Sequence, residues 1–401
     1  MKIFESLILS TVFFISFSAT AQNLEGASSA DFEKGFGENS GISNDEKNGA
    51  DTDHLKIGGT LAVDATDTGI GSRDSFSNPA TLWLYLDARL RNDIRTFVRL
   101  KGVVEPGLRS DDSDVEEMKL FFNVHKKVFF TVGKQKIKWG SGQFWNPTDV
   151  LNVAPRNLLY SDDRRSGVSL LKTHIPIGDA NIYVVNSVDG ATRLSEIGNS
   201  ARVEVPVATS EFAFTVSKFF GQSAVWGADV SAGLGPLDLR GELAYSTQSN
   251  ALKYGPTGSF KEKGASLGAV AGASYEMPYR DNDSVTFSLE YFRNADGYAN
   301  KSDYVYPLAA KAYVPFHLAQ DYAVLMLLAP QPGNWEHTTL SLSNIANISD
   351  GSFLVKLNAA FTLMQDLRLD VGVSAPYGDA AGEFRFLDQK YEVTSRLSVD
   401  F

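Results

Sequence analysis

The 401-residue sequence contains no cysteine. Disulfide bridges are therefore excluded, and so is the acylated N-terminal cysteine of a bacterial lipoprotein. Beyond the N-terminus no apolar run approaches the ~18 residues that a membrane-spanning helix requires; the longest, Tyr322 to Ala329, is far too short. Excess basic charge is also lacking, since the formal net charge is −11. This balance argues against a nucleic-acid partner.

Catalytic and metal-binding motifs are equally scarce. None of the five histidines belongs to an H-E-x-x-H sequence or to another metal-ligand spacing. Neither a G-x-S-x-G nucleophile elbow nor a glycine-rich phosphate loop is found. We therefore predict no enzymatic activity, no metal and no cofactor. One acidic run leaves two interpretations open, a divalent-cation site with oxygen ligands or a solvated loop. It comprises Asp111, Asp112, Asp114, Glu116 and Glu117.

The first residues have the pattern of a cleavable secretory signal peptide, over residues 1–21. Lys2 supplies the basic start, and Leu7 to Phe17 form an apolar segment too short to span a bilayer as a helix. Ala19-Thr20-Ala21 is an A-x-A cleavage site, so the exported chain is expected to begin at Gln22.

The last residues alternate between apolar and polar side chains. From Tyr391 to Phe401, apolar residues occupy the odd positions except at Ser395, and polar residues occupy the even positions. This period of two predicts a strand with one apolar and one polar face. Its aromatic last residue, Phe401, resembles the way in which outer-membrane barrels typically end.

Similar strand candidates repeat along residues 54–401. The pattern places about eighteen strands (roughly 16–18), and short turns alternate with mostly long connections, as is typical of a transmembrane antiparallel β-barrel. We therefore predict an all-β barrel with a water-filled interior. Residues 22–53 precede it and are rich in Gly, Ser, Asn, Asp and Glu. We interpret them as a flexible periplasmic segment, with a plug of the barrel as the alternative.

One stretch, Gly133 to Gly167, departs most from the strand pattern. It contains two tryptophans together with Pro147 and Pro155, and each proline fixes φ and removes a backbone donor. A connection of this length is usually functional or disordered, and this one is too aromatic for disorder. We predict that it is the third extracellular loop, folded toward the lumen as a constriction.

Candidate pore residues come from this loop and from one strand. The loop aromatics either stack on a flat solute or fasten the loop to the barrel wall, and the loop arginines are expected to face carboxylates across the lumen. The basic strand residues are expected to point inward, because a basic side chain facing lipid costs ~2–4 kcal/mol at the midplane. The complete set is Trp139, Phe144, Trp145, Asp149, Arg156, Arg164, Arg165, Arg95, Arg99 and Lys101.

Several short sequences carry a resemblance. They are Gly133-Lys134-Gln135, Trp139-Gly140-Ser141-Gly142, Asn146-Pro147-Thr148-Asp149, Asp162-Asp163-Arg164-Arg165-Ser166-Gly167, Tyr377-Gly378 and Glu383-Phe384. Together with the signal peptide and the C-terminal strand, they resemble a family of porin-like outer-membrane barrels of Gram-negative bacteria. The resemblance implies a channel and names no substrate. The loop pattern of alginate exporters is not matched.

The function predicted from these features is passive or weakly selective diffusion of small hydrophilic solutes across a Gram-negative outer membrane. Two alternatives are an enzyme scaffolded by the barrel, such as a lipase or protease, and an adhesin or structural barrel. The expected partners are outer-membrane lipid, lipopolysaccharide, small hydrophilic solutes, and the barrel-assembly machinery acting through the strand that ends at Phe401.

Overall fold

The computed structural model describes residues 55–90, 93–106, 112–152, 158, 165–279, 283–333, 335–386 and 388–401. The predicted signal peptide and the segment 22–53 lie outside the described residues. No helix among the described residues is long and apolar enough to cross a membrane.

The described chain is built almost entirely from β-strands. In chain order they are β1 (Leu55–Ile70), β2 (Arg73–Ser77), β3 (Ala80–Arg89), β4 (Arg95–Val104), β5 (Asp112–Val124), β6 (Val128–Gln135), β7 (Val168–Ile177), β8 (Ala180–Ser187), β9 (Gly198–Val207), β10 (Ser210–Lys218), β11 (Val225–Leu234), β12 (Leu237–Ser246), β13 (Leu252–Gly255), β14 (Gly258–Lys261), β15 (Ser266–Pro278), β16 (Ser284–Asn294), β17 (Asp321–Pro330), β18 (Thr338–Asn347), β19 (Ser352–Met364), β20 (Leu367–Gly378) and β21 (Gln389–Asp400). The described helical segments are two 3-10 turns, Leu194–Glu196 and Lys301–Tyr304, and the helix α1, Val305–Ala309.

Within the described residues, eighteen of these strands form one closed antiparallel barrel. Each barrel strand pairs with the next along the chain, and β21 pairs with β1, from Thr60 opposite Asp400 to Gly69 opposite Tyr391. The short β2 pairs with the far end of β1, and β13 and β14 form a separate hairpin. The predicted barrel of about eighteen strands is confirmed. The sequence pattern did not reveal β2, the β13–β14 hairpin or α1.

The connections differ between the two ends of the barrel. At one end, the turn end, lie the connections 125–127, 178–179, 208–209, 235–236 and 365–366. At the other, the loop end, lie the connections 136–167, 188–197, 247–265, 295–320 and 379–388. The connections 219–224 and 348–351 are short although they belong to the loop end. The connection 331–337 is long although it belongs to the turn end. The predicted alternation therefore holds for most connections, and the connection between β6 and β7 is the third at the loop end.

The two faces of the wall differ as the alternation requires. Leu243 and Leu289 are exposed on the apolar face, whereas their neighbours Glu242 and Glu290 are buried on the polar face. In a closed barrel the two faces are outside and inside, and an exposed apolar band belongs on the outside. Polar residues of the inner face also pair across an intervening strand: Arg202 Nη1 of β9 lies 2.6 Å from Asp229 Oδ2 of β11.

The last two residues of the acidic run, Glu116 and Glu117, do not belong to a solvated loop. Glu116 and Glu117 are buried in β5, with Lys119 Nζ 2.8 Å from Glu117 Oε1 and Lys136 Nζ 3.6 Å from Glu116 Oε2. The solvated-loop interpretation is therefore wrong for these two glutamates, because a buried carboxylate needs a partner and Lys119 of β5 and Lys136, just after β6, supply one each. Among the described residues no group of histidine and acidic side chains is arranged to hold a metal ion.

Candidate functional site

Residues 136–152, which we name the crossing segment, leave the barrel wall at the end of β6. The segment turns at two glycines. Gly140 has φ +95°, and a side chain there would collide with the carboxylate of Glu242. At Gly142 a side chain would collide with the carbonyl oxygen of Trp145. Only glycine therefore allows the backbone to approach both groups this closely.

The two tryptophans of the crossing segment are buried in different apolar clusters. Trp139 packs with residues that include Val168 and Leu170 of β7, and it is 5% exposed. Trp145 is 1% exposed and stacks on Phe292 of β16, with ring centroids 5.4 Å apart. The cluster of Trp145 lies on β16. In the ring of eighteen strands β16 is the eighth strand beyond β6, since β7 to β12 and β15 come between them. The segment therefore packs on β7 at Trp139 and on β16 at Trp145, which lie seven strands apart in the ring.

Two buried carboxylates of the inner wall hold the segment between these clusters. Glu290 of β16 accepts hydrogen bonds from the backbone N–H groups of Gln143 (2.7 Å), Phe144 (2.9 Å) and Trp145 (2.9 Å). Consecutive N–H groups that converge on one anion act as a fixed positive partial charge. A carboxylate buried without such donors would be strongly disfavoured.

Glu242 of β12 makes the second attachment. It accepts hydrogen bonds from the N–H groups of Gly142 (3.2 Å) and Thr148 (2.7 Å), and from the Thr148 hydroxyl (2.7 Å). Asn146 Nδ2 lies 3.3 Å from the same carboxylate. The two glutamates thus fix residues 142–148 through backbone donors, so the contact depends on the path of the chain more than on its side chains.

Two wall glycines make room for the segment. A Cβ at Gly227 of β11 would lie 2.7 Å from Thr148 Cγ2, and a Cβ at Gly268 of β15 would lie 2.7 Å from Pro147 Cβ. Side chains at these positions would push the segment away from the wall. Glycine inside a strand often marks close approach of another chain segment, which is the signal that could have identified them in the sequence.

The end of the segment, residues 149–152, is bound to the start of the segment and to Arg165, which follows later in the same connection. Asn152 Nδ2 donates to the carbonyl oxygen of Ile137 at 2.6 Å, and Asp149 Oδ2 lies 3.2 Å from Arg165 Nη1. The N–H of Lys136 donates to Glu117 Oε1 of β5 at 3.1 Å. The structure therefore brings Trp139, Trp145, Asp149 and Arg165 together with Phe144 in one folded unit.

The strand candidates lie on a different part of the wall. Arg95 pairs with Asp87 near the turn end, with Nε 2.6 Å from Oδ1. Arg99 lies over the ring of Phe97, with 5.7 Å from Cζ to the centroid. Lys101 is opposite Trp83 in the β3–β4 register. These three cations share the inner face of β4. Arg156 and Arg164 lie outside the described residues.

A cavity of about 480 Å³ lies on the loop-end side of the crossing segment. It is lined by the segment, by the ends of β11, β12, β15 and β16, and by the connections 247–265 and 295–320. Phe144, Tyr254 and Tyr298 contribute rings, and Asp149, Arg165, Lys253 and Asp296 contribute charged groups.

A second cluster joins the loops around Glu383. This carboxylate is 2% exposed and accepts hydrogen bonds from the N–H of Phe316 (2.9 Å) and the hydroxyl of Tyr322 (2.6 Å). Its own N–H donates to Asp350 Oδ2 at 2.9 Å. Burial raises the pKa of Glu383 to about 7, against the lowering effect of these donors. The cluster ties the connections 295–320, 348–351 and 379–388 together.

Comparison with known proteins supports the fold. No protein-family model matches the sequence, and a search of curated proteins finds no match. Solved structures do match. OccAB1 of Acinetobacter baumannii superimposes with a TM-score of 0.59 at 11% identity, over 87% of this chain and 97% of that one. The chain has the porin fold.

Further porin-fold neighbours come from Pseudomonas. A BenF-like porin of Pseudomonas fluorescens matches with a TM-score of 0.55 and 11% identity, over 87% of this chain and 99% of that one. OccK2 (OpdF) of Pseudomonas aeruginosa, solved in complex with glucuronate, matches with a TM-score of 0.56 and 11% identity, over 86% and 96% of the two chains. Both structures are covered almost completely, so this chain spans a whole porin-fold barrel.

Proposed function

We propose that this protein is a channel of the Gram-negative outer membrane that lets small hydrophilic solutes diffuse passively or with weak selectivity. One observation carries the proposal: residues 142–148 are held by hydrogen bonds to Glu242 and Glu290 on the polar inner wall of a closed barrel. A barrel of this strand number has room for water, and a segment held along one side of the inner wall would narrow that room.

In this proposal the crossing segment is the constriction. Its backbone is held against β12 and β16, and Thr148 and Pro147 pack on β11 and β15. The passage then lies between the segment and the opposite wall, where β4 presents Arg95, Arg99 and Lys101. Rings of charge next to a narrow passage set the preference for solute charge.

Buried tryptophans favour one interpretation of the loop aromatics. Trp139 and Trp145 are enclosed in apolar clusters, so we propose that they fasten the segment to the wall. Phe144, which is half-buried, borders the cavity. We assign solute contact to Phe144 alone among the three. We also propose that the protein catalyses no reaction, since its structural neighbours are porin channels and not enzymes.

Replacing residues 140–149 with a Gly-Ser linker of equal length is expected to raise the single-channel conductance about two- to threefold, because a constriction limits ion flow. The measurement is ion current through the purified protein in planar bilayers. A matched linker in the connection 188–197, on the same side of the barrel, is the control and should leave conductance unchanged.

The experiment distinguishes failure of the proposed channel from failure of the proposed constriction. Absence of ion current through the unaltered protein contradicts the channel. Ion current with equal conductance before and after the replacement leaves the channel intact and contradicts the constriction.

For assembly and location, we propose cleavage of residues 1–21, insertion among outer-membrane lipid and lipopolysaccharide with the loop end outside, and residues 22–53 on the periplasmic side. The closing strand β21 would be the segment that the barrel-assembly machinery recognises. Phe401 N–H donates to the carbonyl oxygen of Gly59 at 3.0 Å, and its ring approaches the space a Gly59 side chain would need.

Phe401→Ala is therefore expected to reduce the yield of folded barrel several-fold, because the machinery and the closing contact both lose the ring. Heat-modifiable migration of the outer-membrane fraction in gel electrophoresis measures folded barrel. Leu397→Ala, on the same face of β21, is the control. Equal losses in the two variants would count against recognition of Phe401.

A further inference from the structure

We propose that the cavity bounded by the crossing segment and the connections 247–265 and 295–320 binds a neutral polyhydroxylated solute of mono- or disaccharide size before the solute passes through the barrel. This rests on the proposed channel function. The cavity volume of about 480 Å³ falls within the ~300–1,000 Å³ range of small-molecule sites.

The charged groups of the cavity are balanced. Asp149 and Arg165 form an ion pair, with 3.2 Å between Oδ2 and Nη1. Lys253 pairs with Glu262 and donates to the carbonyl oxygen of Gly297 at 3.2 Å. Asp296 accepts hydrogen bonds from two serine hydroxyls. The lining therefore contains two cationic and two anionic side chains and has no net charge.

This balance disfavours an anionic solute. Both lining cations already have carboxylate partners, so a carboxylate or phosphate would have to displace them. Lys253 is also buried and lies over the ring of Tyr298, with 5.7 Å from Nζ to the ring centroid. Burial lowers the pKa of His317, which therefore stays neutral at pH 7 and adds no positive charge.

The remaining groups suit hydroxyls and C–H faces. Carboxylate oxygens such as those of Asp149 and Asp296 accept hydrogen bonds from hydroxyl groups, and Asp296 already accepts two, from the Ser249 and Ser266 hydroxyls at 2.7 and 2.8 Å. The rings of Phe144 and Tyr254 border the same space and offer apolar faces with a polar tip on the tyrosine. A solute with one apolar face and several hydroxyl groups matches this combination.

The test uses the purified full-length protein and maltose as the probe. Maltose added to the loop-end side of a planar bilayer is expected to block the ion current at millimolar concentrations, and gluconate at equal ionic strength is not. Tyr254→Ala should raise the half-blocking maltose concentration about tenfold, since it removes a ring contact. Phe260→Ala, in the same β13–β14 hairpin and outside the cavity lining, is the control and should leave it unchanged.

Calorimetric titration of the detergent-solubilised protein with maltose provides a second readout that needs no ion current. Maltose binding that Tyr254→Ala weakens and Phe260→Ala does not supports the site, even in a preparation that does not conduct. Ion current without maltose block or heat of binding overturns the site and leaves the channel standing. Stronger block by gluconate than by maltose also overturns it.

Discussion

Replacing Glu242 and Glu290 together with glutamine is expected to release the crossing segment and raise the single-channel conductance toward that of the linker variant. Both carboxylates accept hydrogen bonds from backbone N–H groups, among them those of Gly142, Gln143 and Thr148. An amide side chain keeps the shape but replaces one acceptor oxygen with an NH2 donor, which then faces another donor. Each buried donor left without an acceptor costs ~1–3 kcal/mol.

The double substitution also removes two negative charges from the inner wall, which alone changes ion flow. A charge-matched control is therefore needed. Glu204→Gln with Asp370→Asn removes two inner-wall carboxylates that pair with Arg202 and Arg368 and do not hold the segment. Planar-bilayer conductance compares the two proteins. An increase with the control pair as large as that with the glutamate pair would contradict the interpretation that Glu242 and Glu290 hold the crossing segment.

A reporter of loop position separates release from a charge effect. Trp145 is enclosed by Phe292 and Tyr322 in the unaltered protein. Release should shift tryptophan fluorescence toward longer wavelength and increase quenching by acrylamide, whereas the control pair should leave both unchanged. Increased conductance without this spectral change would mean that the segment stays in place.

The barrel was predictable because its physical constraint acts on every strand. Lipid outside and water inside impose alternation residue by residue, so Leu243 beside Glu242 and Leu289 beside Glu290 already show the pattern. The difference between the turn end and the loop end can be read from the lengths of the connections between successive strands. These signals are local, and each strand repeats them.

The attachments of the crossing segment are not local. Glu242 and Glu290 look like any other inward carboxylate, and their partners in the crossing segment lie 94 to 147 residues earlier in the chain. Most of those partners are backbone N–H groups, which carry no residue type for a sequence pattern to detect. Burial of Trp139 and Trp145 likewise depends on residues from other strands, so the sequence left both anchoring and solute contact open.

Glu383 was part of a sequence resemblance, but its role depends on three connections that meet only in the fold. Its neighbours from each side are Tyr322 of β17, Asn347 of β18, Asp350 and the N–H of Phe316. Tyr304 and Tyr313 also face it, and burial raises the pKa of both hydroxyls, so they stay protonated near neutral pH. Asp350 adds a negative charge that makes ionisation of Glu383 harder.

The resulting pH dependence has a definite sign. The pKa of Glu383 is raised from 4.5 to about 7 in the closed cluster, so the closed cluster binds a proton that opened loops release. The stabilising contribution is complete below pH ~4.5 and is lost as the pH rises to ~7. Across this window, opening of the connection 379–388 should become easier by on the order of a hundredfold.

Hydrogen exchange of residues 379–386, corrected for the intrinsic rate at each pH, measures this opening. Glu383→Gln cannot ionise and should make the opening constant independent of pH over the window. Glu196→Gln serves as the control, because Glu196 is an exposed loop-end carboxylate whose pKa is lowered by its hydrogen bonds to Thr192. It should keep the full dependence. Opening that becomes harder as pH rises, or an equal slope in Glu383→Gln, would show that Glu383 is not the titrating group.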